Sequence, residues 1–284
     1  ALPVHLKFLI EGEEEAEDSQ LESFLARSRH KLAADVVVVS DTAQISHGVP
    51  TIGLGMRGLC YLEVTVRSMP AELHSGTFGG AVENPAQVLC KMLSSLKNHY
   101  GHIVISGFYD KVRKISLAED EEFDALAAYE EQYRIAAGVT ELVGGEKLAF
   151  SPLLRMWRQP TLDVNGICAG FTEPGVKTII PASATAKISM RLVSDQDPDE
   201  IAELCEAHLR LVAPPSVSLT VAKLATAKPY LADRNHPTVG AAKRALYRAF
   251  GREAVFGYEG GSIPFLTMAS EMFGAPCILF GFGL

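Results

Sequence analysis

Two periodicities alternate along the chain. Val4, Leu6, Phe8 and Ile10 occupy every second position of LPVHLKFLI, the spacing of a strand, and Leu21, Phe24, Leu25 and Leu32 then recur near helical spacing in SQLESFLARSRHKL. Continued along the chain, the pattern predicts strands over 4–10, 35–40, 51–55, 59–68, 162–171, 184–193, 217–223 and 277–282. Helices are predicted over 19–32, 85–98, 197–212, 236–251 and 262–273. Asp197-Pro198 and Asn235-His236-Pro237 read as helix starts, because a first-turn proline lacks only an N–H that has no helical partner anyway. The acidic stretch 118–131 reads as an exposed helix in an elaborated middle region.

The strands differ in kind. DVVVVS is a continuous β-branched run, which suits a strand buried on both faces, whereas ATAKISMRLV alternates and suits a sheet with one open face. The expected class is therefore α/β, with a mostly parallel sheet sandwiched by helices over 1–56 and 230–284. An α+β part with an antiparallel sheet is expected to be inserted over 57–229.

Composition narrows the partners. A chain of 284 residues, 48% hydrophobic and 21% charged, can bury a sizeable core in two domains. A net charge of −8 without a Lys/Arg stripe argues against nucleic acid and favours small molecules or proteins. Five cysteines with no CxxC spacing suit reduced thiols and a cytoplasmic location. No apolar run reaches membrane-spanning length, so no membrane partner is expected. The chain begins in a strand pattern and stops after APCILFGFGL, where a site residue is expected next, and so reads as a fragment cut at both ends.

Candidate chemistry lies where elements change. EGEEEAED, residues 11–18, sets six acidic side chains into eight positions. Such crowding suits either a solvated helix start, favoured by the macrodipole, or a site that holds a cation. In the predicted topology Glu13, Glu14 and Glu15 follow one strand tip and Asp41 ends another, so carboxylates from two tips can converge on a cation-sized hole. By itself Asp41 reads equally as a helix cap or turn residue. His74 leads into the glycine-rich GTFGG loop, which lacks the Gly-Lys-Ser/Thr ending of a phosphate loop, and a loop histidine is commonly just a polar surface residue. Thr178 precedes a proline-containing bend. Arg191 sits in a returning strand, where an exposed cross-strand partner is the ordinary reading. Gly260-Gly261 precede a helix opened by Ser262, where backbone N–H groups can receive an anion.

Read together, FLIEGEEEAED, VVVVSDT, HSGTFGG, GVKTIIP with KISMRLV, and YEGGSIP resemble, in order, the M20 metallopeptidase family, most closely its cytosolic nonspecific dipeptidase (carnosinase-like) branch. The resemblance implies a hydrolase of dipeptides or short peptides that uses two divalent ions, zinc or manganese, and a lid domain that forms a homodimer. It further implies Glu14 as general base, Glu15 and Asp41 as metal ligands, and His74 polarising the substrate carbonyl of a neighbouring subunit. Thr178 and Arg191 would hold the substrate carboxylate, with Gly260, Gly261 and Ser262 lining the pocket. The family's remaining metal ligands are expected before residue 1 and after residue 284, so the chain alone is expected to bind metal weakly and to be inactive. Ala225 stands where carnosinase-like members carry histidine, which leaves the peptide preference open. The alternatives are an N-acyl amino acid amidohydrolase or carboxypeptidase of the same family, or a non-catalytic dimerisation or binding module.

Overall fold

The structure, a computed structural model, describes residues 3–12, 20–143 and 150–283. Helix α1 (Leu21–Leu32) is followed by strands β1 (Val37–Ala43), β2 (Thr51–Met56), β3 (Gly58–Arg67) and β4 (Leu73–His74), then helices α2 (Ser75–Phe78) and α3 (Pro85–Ser94). A helical middle of α4 (Leu117–Leu126), α5 (Glu130–Ala137) and α6 (Pro152–Arg158) leads to β5 (Thr161–Ala169), β6 (Ile179–Ile180), β7 (Ser183–Leu192), α7 (Pro198–Val212) and β8 (Ser218–Ala227). The last elements are β9 (Tyr230–Leu231), α8 (Pro237–Phe250), β10 (Val255–Glu259), α9 (Pro264–Phe273) and β11 (Cys277–Gly283). They form two compact units, one of Ala1–Gly55, Tyr230–Glu259 and Ile263–Leu284, the other of Met56–Pro229 with Gly260–Ser262.

The first unit is built on a mixed sheet in the order β1-β11-β2-β10, with β9 also paired to β2. β1 runs parallel to β11 and β11 antiparallel to β2. β2 is buried along its whole length, as an interior strand must be when both faces are covered. Helix α8 starts on His236, whose side chain accepts from the Thr238 N–H, and ends on Gly251 in the left-handed region. Two expectations fail in this unit. Residues 4–10 form no strand, and Val4, Leu6, Phe8 and Ile10 are exposed. Alternation favours a strand, but a strand exists only where a neighbour takes its backbone hydrogen bonds, and no described strand does so. The DVVVVS strand is not buried on both faces either. β1 lies at the sheet edge and Val38 is exposed, because β11 is its only described neighbour.

The second unit is an antiparallel sheet in the order β5-β7-β3-β8. β3 alternates buried and half-buried residues, with Cys60, Leu62, Val64 and Val66 pointing to one side. There they meet Ile188 and Met190 of β7, Val88, Leu89 and Met92 of α3, and Ile201, Cys205 and Leu209 of α7. Each large side chain so buried contributes about 1.5–3 kcal/mol. The covering helices start sharply: Asn84 caps α3 through Ala86 N–H, and Asp197 caps α7 through the N–H groups of Asp199 and Glu200. The other face of the sheet is polar and carries Tyr61, Thr65, Asp163, Thr185, Ser189 and Arg191, which the register places on one side.

Candidate active site

Asp41 is exposed on β1, and it lines a cavity of about 420 Å³ together with Glu11, Val37, Phe265 and Phe273. Nearby in the same unit is Glu259 at the end of β10, a carboxyl the sequence reading left without a role. Burial raises its pKa, a backbone hydrogen bond from Ala43 works against that, and the Asp41 charge adds to it. Glu14 and Glu15 lie outside the described residues. Among the described residues no group of three or more His, Cys, Asp or Glu side chains is placed to hold an ion, so these residues do not by themselves build a metal centre.

His74 ends β4, which pairs with β6 through Leu73↔Ile180 and His74↔Ile179. Its Nδ1 accepts from Gly76 N–H at 3.1 Å and caps α2. With that lone pair engaged, the proton of the neutral ring sits on Nε2, 3.2 Å from Thr178 Oγ1. Gly76 makes the turn possible, because a Cβ there would stand 2.9 Å from His74 Cε1. The backbone closes the pair, Ser75 N–H donating to Thr178 O, and an exposed Lys177–Glu72 ion pair at 2.7 Å flanks it. His74 and Thr178 are both exposed and thus form one unit of hydrogen-bonding groups at the surface.

Arg191 stands near the far end of β7. Its Nη1 donates to Ser262 Oγ at 3.1 Å, and the Ser262 hydroxyl donates to Arg57 O at 2.5 Å. Ser262 does not open a helix: α9 begins at Pro264, and its cap residue Ile263 contributes no side-chain hydrogen bond. The Ser262 hydroxyl is spent on the Arg57 carbonyl instead. Arg57 Nε donates to Gly260 O at 3.2 Å, so one arginine bonds both ends of the Gly260–Ser262 turn. Burial, then the neighbouring Arg191 charge, lowers the Arg57 pKa to about 10, against the opposing charge of Asp163. Among the described residues no carboxylate forms a salt bridge with Arg57 or Arg191. Two guanidiniums sharing a half-buried turn make a receptor for an anion. Sequence reasoning passed over Arg57, although a lone charge inside the apolar stretch TIGLGMRGLCYL was a signal.

Thr178 and Arg191, both assigned to a substrate carboxylate, are not brought together within one chain. Ser75, Ile179 and Ile180 share a cavity with Ser68 and Ser216, at the end of the sheet where Arg67 pairs with both Ser183 and Ser218. Arg191 pairs with Leu59 and Thr161 at the other end, eight residues along β7 from Ser183. At about 3.3 Å per residue the two ends are about 26 Å apart.

The antiparallel sheet backed by two helices, with hydrogen-bonding groups at one end and two guanidiniums at the other, lies, but for β8, within the region by which comparison assigns the chain to a class. Residues 54–217 match the M20 peptidase dimerisation domain, and the chain belongs to the M20 peptidase family. It is similar to human Beta-Ala-His dipeptidase, at 33% identity over 99% of this chain and 56% of that protein. It is also similar to a Cys-Gly metallodipeptidase of Schizosaccharomyces pombe, at 32% identity over 92% of this chain and 56% of that protein. Among solved structures it is similar to an M20 family metallo-carboxypeptidase from Sulfolobus solfataricus, with a TM-score of 0.81 and 30% identity over 95% of this chain and 60% of that one. The chain thus spans just over half the length of the curated relatives it matches.

Proposed function

We propose that the whole protein hydrolyses the peptide bond of dipeptides or short peptides that carry a free C-terminal carboxylate. The observation that carries this reading is the pair Arg57 and Arg191, two guanidiniums with no described acidic partner in salt-bridge contact, beside a turn of small residues. Arg191 supplies a charge-assisted fork for the carboxylate, and Gly260 and Gly261 leave room for the peptide to approach the backbone. Glu14 takes a proton from the attacking water and delivers it to the leaving amine. The relatives named as metallodipeptidases and a metallo-carboxypeptidase support divalent ions as cofactors. Zinc or manganese is the choice proposed, with Glu15 and Asp41 as two of the ligands.

The His74 Nε2–H rests on Thr178 Oγ1 at 3.2 Å, and turned from the hydroxyl to a substrate it is a donor suited to a developing carbonyl oxyanion. Because these two groups lie toward the Ser183 end of β7, about 26 Å of strand from Arg191, a second copy supplies them to each site. The proposed assembly is therefore a homodimer through the second unit, in a reducing, cytoplasmic setting that suits five free cysteines. Among the described residues no helix is long and apolar enough to cross a membrane.

The test is hydrolysis of simple dipeptides by the whole protein supplied with zinc or manganese. Glu14→Gln is expected to lower the rate about 10²-fold or more, and a loss of only a few fold would remove Glu14 as the base. The similarity to a metallo-carboxypeptidase favours a second reading, in which longer peptides or N-acyl amino acids are cleaved at the last residue. A ladder of peptides of increasing length separates the two.

A further inference from the structure

The hydrogen bonds around Arg191 extend to Arg57, the second guanidinium of the pair. We propose that Arg57 is a positioning residue of the carboxylate subsite, holding the Gly260–Ser262 turn where the Ser262 hydroxyl orients the guanidinium of Arg191. The inference rests on the reading of Arg191 as the carboxylate anchor.

The geometry is a closed relay. Arg57 Nε holds the Gly260 carbonyl at 3.2 Å, and the Arg57 carbonyl receives the Ser262 hydroxyl at 2.5 Å. The hydroxyl proton is committed to Arg57, so the Ser262 oxygen can only accept from Arg191 Nη1, at 3.1 Å. Ser262 is thereby a bracket for Arg191 and has no hydroxyl proton left to donate to a peptide. Register gives the relay a rigid base. Leu59 stands opposite Arg191, and Arg57 lies two residues before Leu59, just ahead of the first β3 residue. Thr161, also opposite Arg191, lies 3.5 Å from Arg57 Nη1 through its Oγ1.

Two further features favour a built subsite over a surface accident. Gly260 leaves the space through which the Arg57 guanidinium passes, since a Cβ there would stand 3.0 Å from Nη2. The two guanidiniums are also held together against their mutual repulsion, with the Asp163 charge favouring the charged form of Arg57.

The test measures kcat and KM of the whole protein, loaded with zinc or manganese, on a dipeptide with a free C-terminus and on its C-terminal amide. Arg191→Met is expected to raise KM for the free acid about tenfold or more and to leave the amide nearly unchanged. Arg57→Met is expected to raise KM for the free acid in the same selective way with kcat little altered, and Arg57→Lys to restore part of the loss. The double variant Arg57→Met/Arg191→Met should be no worse than Arg191→Met alone, because a residue acting through Arg191 has nothing left to position. Gly260→Ala, which pushes on the Arg57 guanidinium and leaves its sequence intact, should reproduce the Arg57→Met shift if that variant fails to fold. Additive losses in the double variant, or equal losses on acid and amide, overturn the role of Arg57. An Arg191→Met enzyme that still prefers the free acid overturns the anchor itself, and the inference falls with it.

Discussion

Mixing two impaired variants tests the composite site directly. His74 and Thr178 lie at the Arg67/Ser183 end of the second unit's sheet, and Arg191 lies at its Leu59/Thr161 end. The strand between those ends, about 26 Å long, exceeds the reach of any side chain, so on the proposed reading a peptide bound at Arg191 meets His74 from another copy. Take His74→Ala chains and Arg191→Met chains, each assayed as a homodimer on the free acid well below KM, where a tenfold rise in KM leaves the Arg191→Met enzyme about a tenth of the wild-type rate or less. In a mixed dimer one site joins the intact Arg191 of the first chain to the intact His74 of the second, and the other site inherits both defects. Random reassortment of equal amounts makes half of the dimers mixed, each with one good site of two, so about a quarter of wild-type activity should return. The assay is dipeptide hydrolysis by the whole protein after the two variants are unfolded and refolded together, against each refolded alone. If the mixture stays at the rate of its components while co-purification of two differently tagged chains shows that mixed dimers formed, the two groups work within one chain and the assignment of His74 to a second copy is wrong.

Other consequences can be checked on this chain. Arg158 is only 6% exposed and pairs with Glu119 at 3.1 Å, and Glu119 also closes the capping box with Ser116, so Glu119→Ala should cost about 1–3 kcal/mol in urea unfolding followed by Trp157 fluorescence. Removing the exposed Lys177–Glu72 pair should cost less than about 1 kcal/mol in the same assay. Burial pushes the Cys60 and Cys205 thiols up to about 12 and Cys277 to about 11, so a thiol reagent at neutral pH should label Cys90 and Cys168 and reach the other three only in denaturant. Because those folded-state values lie above the ordinary thiol value of 9.0, their contribution to stability is complete below it and is lost as pH rises toward 12, which a pH series of melting temperatures will follow. Equilibrated with zinc or manganese and then dialysed, the chain should retain less than one ion per molecule, and two tightly held ions would refute the account of its incomplete ligand set.

Most elements were legible because their signals are local. Proline after Asp197 and after His236, a capping side chain and an apolar stripe are enough to start α7 and α8, whatever the rest of the chain does. Strand existence is not local. LPVHLKFLI carries as good an alternation as ATAKISMRLV, yet only the second has neighbours, β3 and β5, to take its hydrogen bonds. The short strands β4 and β6 escaped the reading for the opposite reason, since two residues each carry no period and the pair is held by the His74 cap and the Thr178 carbonyl.

The site was legible to the extent that each motif holds a residue with distinctive chemistry, and obscure wherever the chemistry arises from a partner distant in sequence. HSGTFGG pointed to His74, but nothing in those seven letters says that the ring is fastened to Thr178, 104 positions later. EGGSIP pointed to Ser262 as the opening of a helix, and the serine instead serves Arg57, 205 positions earlier. A hydroxyl has one proton to give, so its direction cannot be read from the helix that follows it: the Arg57 carbonyl takes that proton, and the oxygen is left to accept from Arg191. The same constraint explains why the two carboxylate-binding assignments part company. Thr178 is committed by backbone and side chain to the His74 end of the sheet and Arg191 is committed by Ser262 to the other, so the proposed function, which brings both to one peptide, requires two copies.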